Sequence, residues 1–312
     1  MTQIVTFTPN PAVDVSTSVE RIVPVAKLRC SPQRRDPGGG GINVARVVKR
    51  FGGDVMAIFL YGGATGRLLQ QLVKREEIPT LASEIAEETR EDFSVYEEST
   101  GKQYRFVLPG PTLSDAEWRA GLDTLAAVND HPAYLVASGS LPLGVPSDFY
   151  ARTGRIAKAW KAKFVLDTSG PPLVAALQEG VYLVKPNLRE LSTLVGEVLD
   201  SEAAWVRAGK KLVEGGQAEI VALTVGHHGA LLVARDIVLR AGALPITPVS
   251  AVGAGDSFLG AMVVSLAAGS SLEQAFRNAV AAASSALLNP GTELCLTHDT
   301  QRLSADVVIR AL

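Results

Sequence analysis

Short apolar runs alternate along this chain with longer stretches that have helical periodicity. The runs have the length of single buried strands and lie at residues 5–7, 57–60, 134–137, 164–166, 182–184 and 220–223. Between the first two runs, Val44, Val47 and Val48 have helical spacing, which places one helix face on a sheet. This alternation predicts an α/β fold with a mostly parallel central sheet flanked by helices.

Two stretches depart from the alternation. Residues 13–27 are short of helical periodicity, and residues 93–97 and 103–107 alternate on either side of a polar turn, which predicts a β-hairpin. We infer a small second sheet built from these pieces. The expected division is a main body of residues 1–12, 31–87 and 109–312, with the small sheet formed by residues 13–30 and 88–108.

The small sheet needs a surface to pack on, because an isolated sheet of this size is only marginally stable. A second copy of the chain would supply that surface, and we therefore expect a homodimer formed through this sheet. The alternative is a sheet that packs back on its own main body.

Composition narrows the functional classes. The chain has 312 residues, 47% of them hydrophobic, which is ample material for a core. A net charge of −2 gives no basis for binding nucleic acid or an anionic membrane, and no apolar run is long enough to span a bilayer. Only Cys30 and Cys295 are present, which fits a reduced cytoplasmic protein with free thiols of no assigned role.

Residues 252–258, Val-Gly-Ala-Gly-Asp-Ser-Phe, open a strongly apolar helical stretch. Small residues let the backbone approach a ligand, and the first N–H groups of a helix form an anion site. An aspartate beside that site repels a simple anion. Asp256 makes chemical sense if a phosphoryl group is transferred there and the carboxylate takes a proton from the attacking hydroxyl. The alternative is that Asp256 only caps the helix.

Polar residues directly follow several of the apolar runs. This position corresponds to the carboxyl ends of the strands, where ligands bind in open parallel sheets. They are Asn10 and Asp14, 138–140, 167–170, 185–187 with Glu190, and Thr224 with Gly226. Each could be an ordinary turn residue at the end of a strand, but together they outline one edge of the sheet.

Four glycines at residues 38–41 precede Asn43 and a helical stretch. They permit close backbone approach to a ligand, and Asn43 supplies a donor and an acceptor. The alternative is a flexible loop with Asn43 as a helix cap. The segment is not a Walker A loop, and no Gly-x-Gly-x-x-Gly follows a strand, which weakens a nicotinamide dehydrogenase interpretation.

Three separated motifs resemble those of the ribokinase/PfkB carbohydrate kinase family. They are the glycine-rich segment 38–43, the Asn-x-x-Glu motif at Asn187 and Glu190, and the Gly-Ala-Gly-Asp motif at 253–256. The resemblance covers essentially the whole chain and implies a ribokinase-like fold with a small β-sheet lid. Within the family it is nearest to the bacterial 6-phosphofructokinase isozyme II branch, on segments 27–30, 37–46, 62–66, 103–107, 138–142 and 289–295.

The resemblance implies ATP-dependent phosphorylation of the 1-hydroxyl of fructose 6-phosphate, giving fructose 1,6-bisphosphate in glycolysis. It implies Asp256 as general base and the N–H groups of Ala254, Gly255 and Asp256 as the anion hole, with Gly253 before them also counted among the catalytic residues. The residues implied for the sugar are Asp14, Gly38, Gly39, Asn43 and Ser138. Those implied for the nucleotide are Lys185, Asn187, Thr224, Gly226 and Ser284. Those implied for metals are Glu190 for Mg²⁺ through water, and Ser250, Val252, Ala286, Asn289 and Gly291 for a monovalent cation such as K⁺.

Substrate choice depends on cations that we expect on the small sheet. Arg90, Arg105 and Lys27 would bind the 6-phosphate, since arginine pairs bidentately with phosphate; the alternative is that they are solvated strand residues. Residues 8–11, Thr-Pro-Asn-Pro, look more like the 1-phosphofructokinase and tagatose-6-phosphate kinase branches, which stay open as alternatives. Glu293 stands where a basic residue is expected in the nearest branch. A non-catalytic sugar-phosphate sensor is the alternative from a different class.

Overall fold

A computed structural model describes residues 3–312 as two sheets and their covering helices. The strands are β1 Ile4–Thr8, β2 Ala12–Val19, β3 Arg34–Gly38, β4 Val55–Tyr61, β5 Thr80–Glu84, β6 Arg90–Glu97, β7 Lys102–Val107, β8 Tyr134–Ser138, β9 Lys163–Asp167, β10 Val181–Val184, β11 Ala218–Thr224, β12 Ala230–Ala234, β13 Val238–Ala241 and β14 Ile309–Ala311. The α-helices are α1 Gly40–Arg50, α2 Gly63–Arg75, α3 Asp115–Ala126, α4 Phe149–Trp160, α5 Pro171–Leu177, α6 Leu188–Val195, α7 Glu202–Glu214, α8 Ala254–Ala267, α9 Leu272–Leu287 and α10 Thr297–Ser304.

The large sheet has ten strands in the order β14-β13-β12-β11-β10-β9-β8-β1-β4-β5. All pairs from β11 to β5 are parallel, and β12, β13 and β14 continue the sheet antiparallel. The six apolar runs of the sequence all lie on strands of this sheet. The predicted mostly parallel sheet is therefore confirmed.

Each face of the large sheet carries its own hydrophobic core, because successive strand residues point to opposite sides. On one face Phe7 stacks on Phe149 of α4 with ring centroids 5.6 Å apart, among residues of α3 to α7. On the other face Phe258 of α8 meets Phe276 of α9 edge-on at 6.2 Å, among residues of α1, α2, α8 and α9. The helices therefore cover both sides and leave the strand ends free.

The second sheet, which we term the lid sheet, has the order β3-β2-β6-β7. Strand β2 runs parallel to β6, while the β2–β3 and β6–β7 pairs are antiparallel, so the predicted hairpin is confirmed. Asp14 lies directly opposite Asp36 on one side and Asp92 on the other. The inner face of the lid sheet is therefore unusually acidic for a strand surface.

Two details of the lid sheet differ from the sequence expectation. Residues 34–38, expected in the main body, form edge strand β3. Their sequence, Arg-Arg-Asp-Pro-Gly, lacks apolar alternation and contains proline and glycine, which are typical of turns. Lys27, expected on the lid sheet, lies in the irregular exposed connection between β2 and β3.

Two further observations concern the whole described chain. Between residues 3 and 312, no helix has the length and apolar character needed to cross a membrane. Cys30 is exposed and Cys295 is buried, and both are free thiols.

Candidate active site

Asp256 lies in the first turn of α8, which begins at the carboxyl-end edge of the large sheet. Gly253, just before the helix, has a left-handed φ of 76°, a conformation that favours glycine. Within residues 3–312 no side chain caps this helix, so the N–H groups of Ala254, Gly255 and Asp256 lack intrahelical acceptors. Asp256 is thus not the cap residue. The N-terminus of α8 presents backbone donors that suit an anion.

The carboxylate of Asp256 is held by a hydrogen bond from α1. Asn43 donates from Nδ2 to Oδ2 of Asp256 at 2.9 Å. Burial raises the pKa of Asp256 to about 6, and the Asp167 carboxylate adds to the rise, while the Asn43 donor and the Lys185 ammonium oppose it. A carboxyl group with this pKa is largely ionised at neutral pH and remains a better proton acceptor than an ordinary aspartate.

Arg46 fixes the orientation of the Asn43 amide. Its guanidinium is 1% exposed and donates to Oδ1 of Asn43 at 3.4 Å, to the Pro37 carbonyl at 3.1 Å and to Oε1 of Glu76 at 2.9 Å. Because the Asn43 oxygen faces a cation, its NH₂ group is directed toward Asp256. The buried Arg46 therefore links α1, the end of the lid sheet and, through Asn43, the carboxylate of Asp256.

Lys185 follows β10 and is buried against the start of α8. Its Nζ lies 3.2 Å from Oδ1 of Asp167, and a Cβ placed on Gly255 would come within 3.3 Å of that Nζ. Burial alone lowers the pKa of Lys185, but the carboxylates of Asp167, Asp256 and Glu190 outweigh it and raise the pKa above its ordinary value. Lys185 is therefore a permanent cation beside the anion site of α8.

Asp14 is buried on the inner face of the lid sheet. A Cβ on Gly38 would approach its Cγ to 2.5 Å, so position 38 has no room for a side chain. Burial raises the pKa of Asp14 to about 7; the Arg105 guanidinium lowers it, and the Asp92 and Asp256 carboxylates raise it further. Arg105 acts on the pKa of Asp256 in the same direction. These mutual effects indicate that Asp14, Arg105 and Asp256 lie within charge range of one another.

The arginines on the lid sheet differ in how they are held. Arg90 donates to the carbonyls of Leu108 at 3.1 Å and Asn10 at 3.3 Å, and it lies 3.4 Å from the Asp92 carboxylate. Its Nε is buried and has no hydrogen-bond partner among residues 3–312. Arg105 lies on the exposed edge strand β7. A buried donor without an acceptor is costly, so Arg90 is suited to an anionic ligand.

Asn187 and Glu190 form a capping box at the start of α6. The Asn187 side chain accepts from the Glu190 N–H at 2.9 Å, and Glu190 Oε2 accepts from the Asn187 N–H at 2.8 Å. The capping role leaves Glu190 Oε1 for another contact, within charge range of Lys185. Among residues 3–312 there is no cluster of three or more His, Cys, Asp or Glu side chains that could hold a metal ion. A Mg²⁺ ion at Glu190 would therefore also need water and phosphate oxygens as ligands, which suits its chemistry.

The residues expected to hold a monovalent cation lie on two segments, 250–252 and 286–291, which we term the carbonyl segments. Ser250 is 5% exposed, and its hydroxyl donates to the Gly291 carbonyl at 2.7 Å. Asn289 donates from its side chain to the carbonyls of Ser285 and Leu294, so its side-chain amide is already engaged within the protein. A site of backbone oxygens fits an alkali cation, which prefers hard oxygen ligands.

The remaining candidate residues are Thr224, Gly226, Ser138 and Gly39 at the same sheet edge, and Ser284 on α9. Thr224 forms a bridge with Asn187, and Gly226 begins the short turn that follows it. Ser138 ends β8 and packs so closely on α1 that a Cβ on Gly40 would meet its Oγ at 2.1 Å; Gly39 before the helix has φ of 104°. Ser284 is buried on α9, and its hydroxyl donates to the Val280 carbonyl of its own helix. The Ser284 hydroxyl is thus already satisfied.

Two residues at the centre of the site have no role in the sequence interpretation. Asp167 is visible there only as one of several polar strand-end residues, yet it pairs with Lys185. Arg46 follows Asn43 by three positions, the spacing that places two helix residues on one face, and this signal could have identified it. Neither residue belongs to the three motifs.

Comparison with known proteins gives a consistent result. Residues 9–299 match the family model described as pfkB family carbohydrate kinase. The chain is 45% identical over 300 residues to an ATP-dependent 6-phosphofructokinase isozyme 2 of Mycobacterium tuberculosis, covering 96% of this chain and 88% of the relative. It is 41% identical to the Escherichia coli protein of the same name, covering 98% and 99%. The crystal structure of E. coli phosphofructokinase-2 in complex with potassium superposes with a TM-score of 0.93 at 40% identity, over 98% of this chain and 99% of that one.

Proposed function

Because this chain belongs to the pfkB family of carbohydrate kinases, we propose that it transfers the γ-phosphoryl group of ATP to the 1-hydroxyl of fructose 6-phosphate. The chain is a phosphotransferase with a sugar-phosphate acceptor, as its relatives are kinases of this kind. The single observation that carries the proposal is the position of Asp256. Its carboxylate, with a pKa of about 6, lies beside the free N–H groups of α8.

In the proposed reaction Asp256 takes the proton of the sugar hydroxyl while the hydroxyl oxygen attacks the γ-phosphorus. A new O–P bond forms, the bond to the β-phosphate bridging oxygen breaks, and ADP leaves with that electron pair. The N–H groups of Ala254, Gly255 and Asp256 offset the charge that develops on the transferring group, and Lys185 adds a buried cation beside them. Mg²⁺, when bound, would neutralise charge on the nucleotide phosphates, with Glu190 and Asp167 as residues able to hold it through water.

The sugar is proposed to lie between the lid sheet and α1. Asp14 and Asn43 would accept and donate hydrogen bonds to its hydroxyls, and Gly38 and Gly39 would offer their backbone, since Asp14 packs too closely on Gly38 for any side chain there. Arg90 and Arg105 would take the 6-phosphate, with Lys27 in its exposed loop as a further candidate. The unpartnered Nε of Arg90 supports this assignment.

The nucleotide is proposed to lie along the carboxyl ends of β10 and β11. Lys185 and Asn187 would contact its phosphates, while Thr224 and Gly226 would contact its other end. For Ser284 only a packing role in this wall is supported, because its hydroxyl bonds within α9. A monovalent cation held by the carbonyl segments is also proposed, and the potassium complex of the E. coli relative supports it.

The lid sheet is proposed to join two copies of the chain. The lid sheet and its β2–β3 connection expose apolar side chains that no described residue covers: Val25, Phe106 and Val107 are each more than half exposed. A homodimer through this surface would remove them from water and steady the strand that carries Arg105. Sedimentation of the purified protein at several concentrations tests this directly, and a species that stays monomeric would contradict it.

The test of the function is ATP consumption with Mg²⁺ against fructose 6-phosphate, fructose 1-phosphate, tagatose 6-phosphate and fructose. We expect the highest kcat/KM with fructose 6-phosphate. A preference for tagatose 6-phosphate would keep the mechanism and change the substrate, and one for fructose 1-phosphate would overturn the phosphate site. Complete lack of turnover would favour the sugar-phosphate sensor, although a sensor has no use for the carboxylate of Asp256.

A further inference from the structure

The lid sheet touches the carbonyl segments through the side chain of Gln103 on β7. The hydroxyl of Ser250 lies 3.0 Å from Oε1 of Gln103 and 2.7 Å from the Gly291 carbonyl, and it accepts from the Val252 N–H at 3.2 Å. A side chain of the lid sheet is thus bonded to a residue whose own backbone is expected to bind a cation.

The protons of this group can be assigned from its chemistry. The Ser250 hydroxyl has one proton and cannot serve two carbonyl oxygens fully, whereas the oxygen and nitrogen of the Gln103 amide are interchangeable in shape. With the amide turned, Gln103 donates to Ser250, and Ser250 donates to the Gly291 carbonyl. Every group in this chain of bonds then has a partner.

The position of Gln103 bears on the sugar phosphate because of what shares its strand. Gln103 and Arg105 are two residues apart on β7, so their side chains lie on the same face. Strand β7 is an edge strand, and within residues 3–312 it pairs only with β6. A contact at Gln103 therefore restrains the position of the strand that carries Arg105.

The opposite edge of the lid sheet is tied to the same region. Thr292 donates to Oδ2 of Asp36 on β3 at 2.8 Å, and Glu293 pairs with Arg34 on β3 and with Arg50 at 2.7 Å. A Cβ on Gly291 would lie 3.0 Å from Oγ of Ser16 on β2. The stretch around Gly291 is therefore in contact with the lid sheet at β3 and β2, and through Ser250 at β7.

We propose that Gln103 is a positioning residue that, through Ser250 and the Gly291 carbonyl, makes the affinity for the sugar phosphate depend on occupancy of the carbonyl segments by a monovalent cation. The proposal rests on the proposed function. A cation that draws the Gly291 carbonyl toward itself changes the acceptor of Ser250, and Ser250 passes the change to the strand of Arg105. Gln103 thus touches neither sugar nor nucleotide and acts through Arg105.

Calorimetric titration with fructose 6-phosphate, without nucleotide, tests this independently of turnover. The titration is run in K⁺ and in tetramethylammonium at equal ionic strength. We expect the wild-type chain to bind more tightly in K⁺. Gln103→Leu keeps the approximate size and removes the hydrogen bond, so its Kd in K⁺ should rise about five- to tenfold, as expected for one hydrogen bond of about 1 kcal/mol, and its cation dependence should vanish.

A second variant and a control keep the test sharp. Ser250→Ala retains the backbone carbonyl and removes the hydroxyl; it should reproduce the effect of Gln103→Leu, and the double variant should add little to either. Lys102→Met, on the opposite face of the same strand, should leave both Kd values unchanged. Circular dichroism establishes that each variant is folded.

The outcomes separate this inference from the proposed function. Equal wild-type affinity in the two cations, with normal turnover of fructose 6-phosphate, would overturn the inference alone. Retention of the full cation dependence by folded Gln103→Leu and Ser250→Ala would do the same. Absence of fructose 6-phosphate binding by the wild-type chain in either cation would overturn the proposed function and this inference with it.

Discussion

The side-chain amide of Asn43 donates a 2.9 Å hydrogen bond to the carboxylate of Asp256, although the two residues are 213 positions apart in the chain. Each residue lies in the first turn of a helix that begins after a glycine with positive φ, Gly39 for α1 and Gly253 for α8. Two helix N-termini are thus aimed at one point at the edge of the large sheet. The donor stabilises the ionised form of Asp256, which is the form that a general base requires.

Replacing Asp256 by asparagine should abolish most of the activity while keeping the shape of the site. We expect kcat to fall about 10²- to 10⁴-fold, the usual contribution of a general base, with a much smaller change in the Kd for ATP. Steady-state kinetics with fructose 6-phosphate measures the first quantity, and calorimetric titration the second. A near-normal kcat in the folded variant would remove Asp256 from the mechanism.

The activity should rise with pH through the range in which Asp256 loses its proton. Its pKa is raised by burial to about 6, so the protonated and inactive form is abundant at pH 5 and rare at pH 8. We therefore expect kcat to increase from pH 5 and to level off above pH 7, because only the carboxylate accepts the proton. A rate–pH profile at saturating substrates measures this, and a flat profile between pH 5 and pH 7 would contradict the assignment.

The stability of the protein should respond to Asp14 in a pH-dependent way. The folded-state pKa of Asp14 is raised to about 7, so the folded chain binds more protons than the unfolded chain between about pH 4 and pH 7. This contribution is present at low pH and is lost as the pH rises through 7. Asp14→Asn should therefore stabilise the chain more at pH 8 than at pH 5, by on the order of 1–3 kcal/mol.

Urea unfolding of Asp14→Asn and of wild type at the two pH values provides the measurement. Asp130→Asn, at an exposed position, serves as the control and should give the same small change at both. A gain in the free energy of unfolding that does not grow with pH would contradict a raised pKa of the buried Asp14 carboxyl.

The fold and the site were predictable from the sequence to different extents. Six strands of the large sheet are recognisable because they are largely buried on both faces and form short apolar runs. Strand β3 was not recognisable, because its sequence carries no alternating pattern. Its side chains Arg34 and Asp36 instead contact Glu293 and Thr292, which are distant in the chain. Glycine and aspartate motifs indicated Asp256 and Asn43, but the bond between them depends on long-range packing.

The partners of the motif residues were harder to predict than the motif residues themselves. Lys185 was expected to contact a nucleotide, and its pairing with Asp167 follows from the adjacency of β9 and β10, which no local pattern encodes. The interaction of Gln103 with Ser250 joins positions 147 residues apart, and a single polar side chain on an edge strand gives no local signal of its partner. Such contacts appear only once the topology is known.

Arg46 should matter for both stability and catalysis. Arg46→Met would leave Glu76 without its cation and free the Asn43 amide; because the Glu76 side chain is 27% exposed, we expect a loss of about 1–3 kcal/mol, less than for a pair buried on both sides. Urea unfolding measures the loss. Adding Glu76→Gln to Arg46→Met should recover part of the stability without restoring kcat, because the Asn43 amide stays unanchored. If kcat returned together with stability, Arg46 would have only a structural role.

The arginines of the lid sheet should determine the affinity for the sugar phosphate. Arg90→Ala and Arg105→Ala each remove charge-assisted hydrogen bonds worth about 1.5–3 kcal/mol, so KM for fructose 6-phosphate should rise about 10- to 100-fold. KM for ATP should change much less, because the nucleotide is proposed to lie along the carboxyl ends of β10 and β11 and not at the lid sheet. Exposed Arg119→Ala on α3 is the matched control and should leave both constants unchanged. Equal increases in the two KM values would show that Arg90 and Arg105 only maintain the structure of the site. That result would contradict their proposed binding of the 6-phosphate.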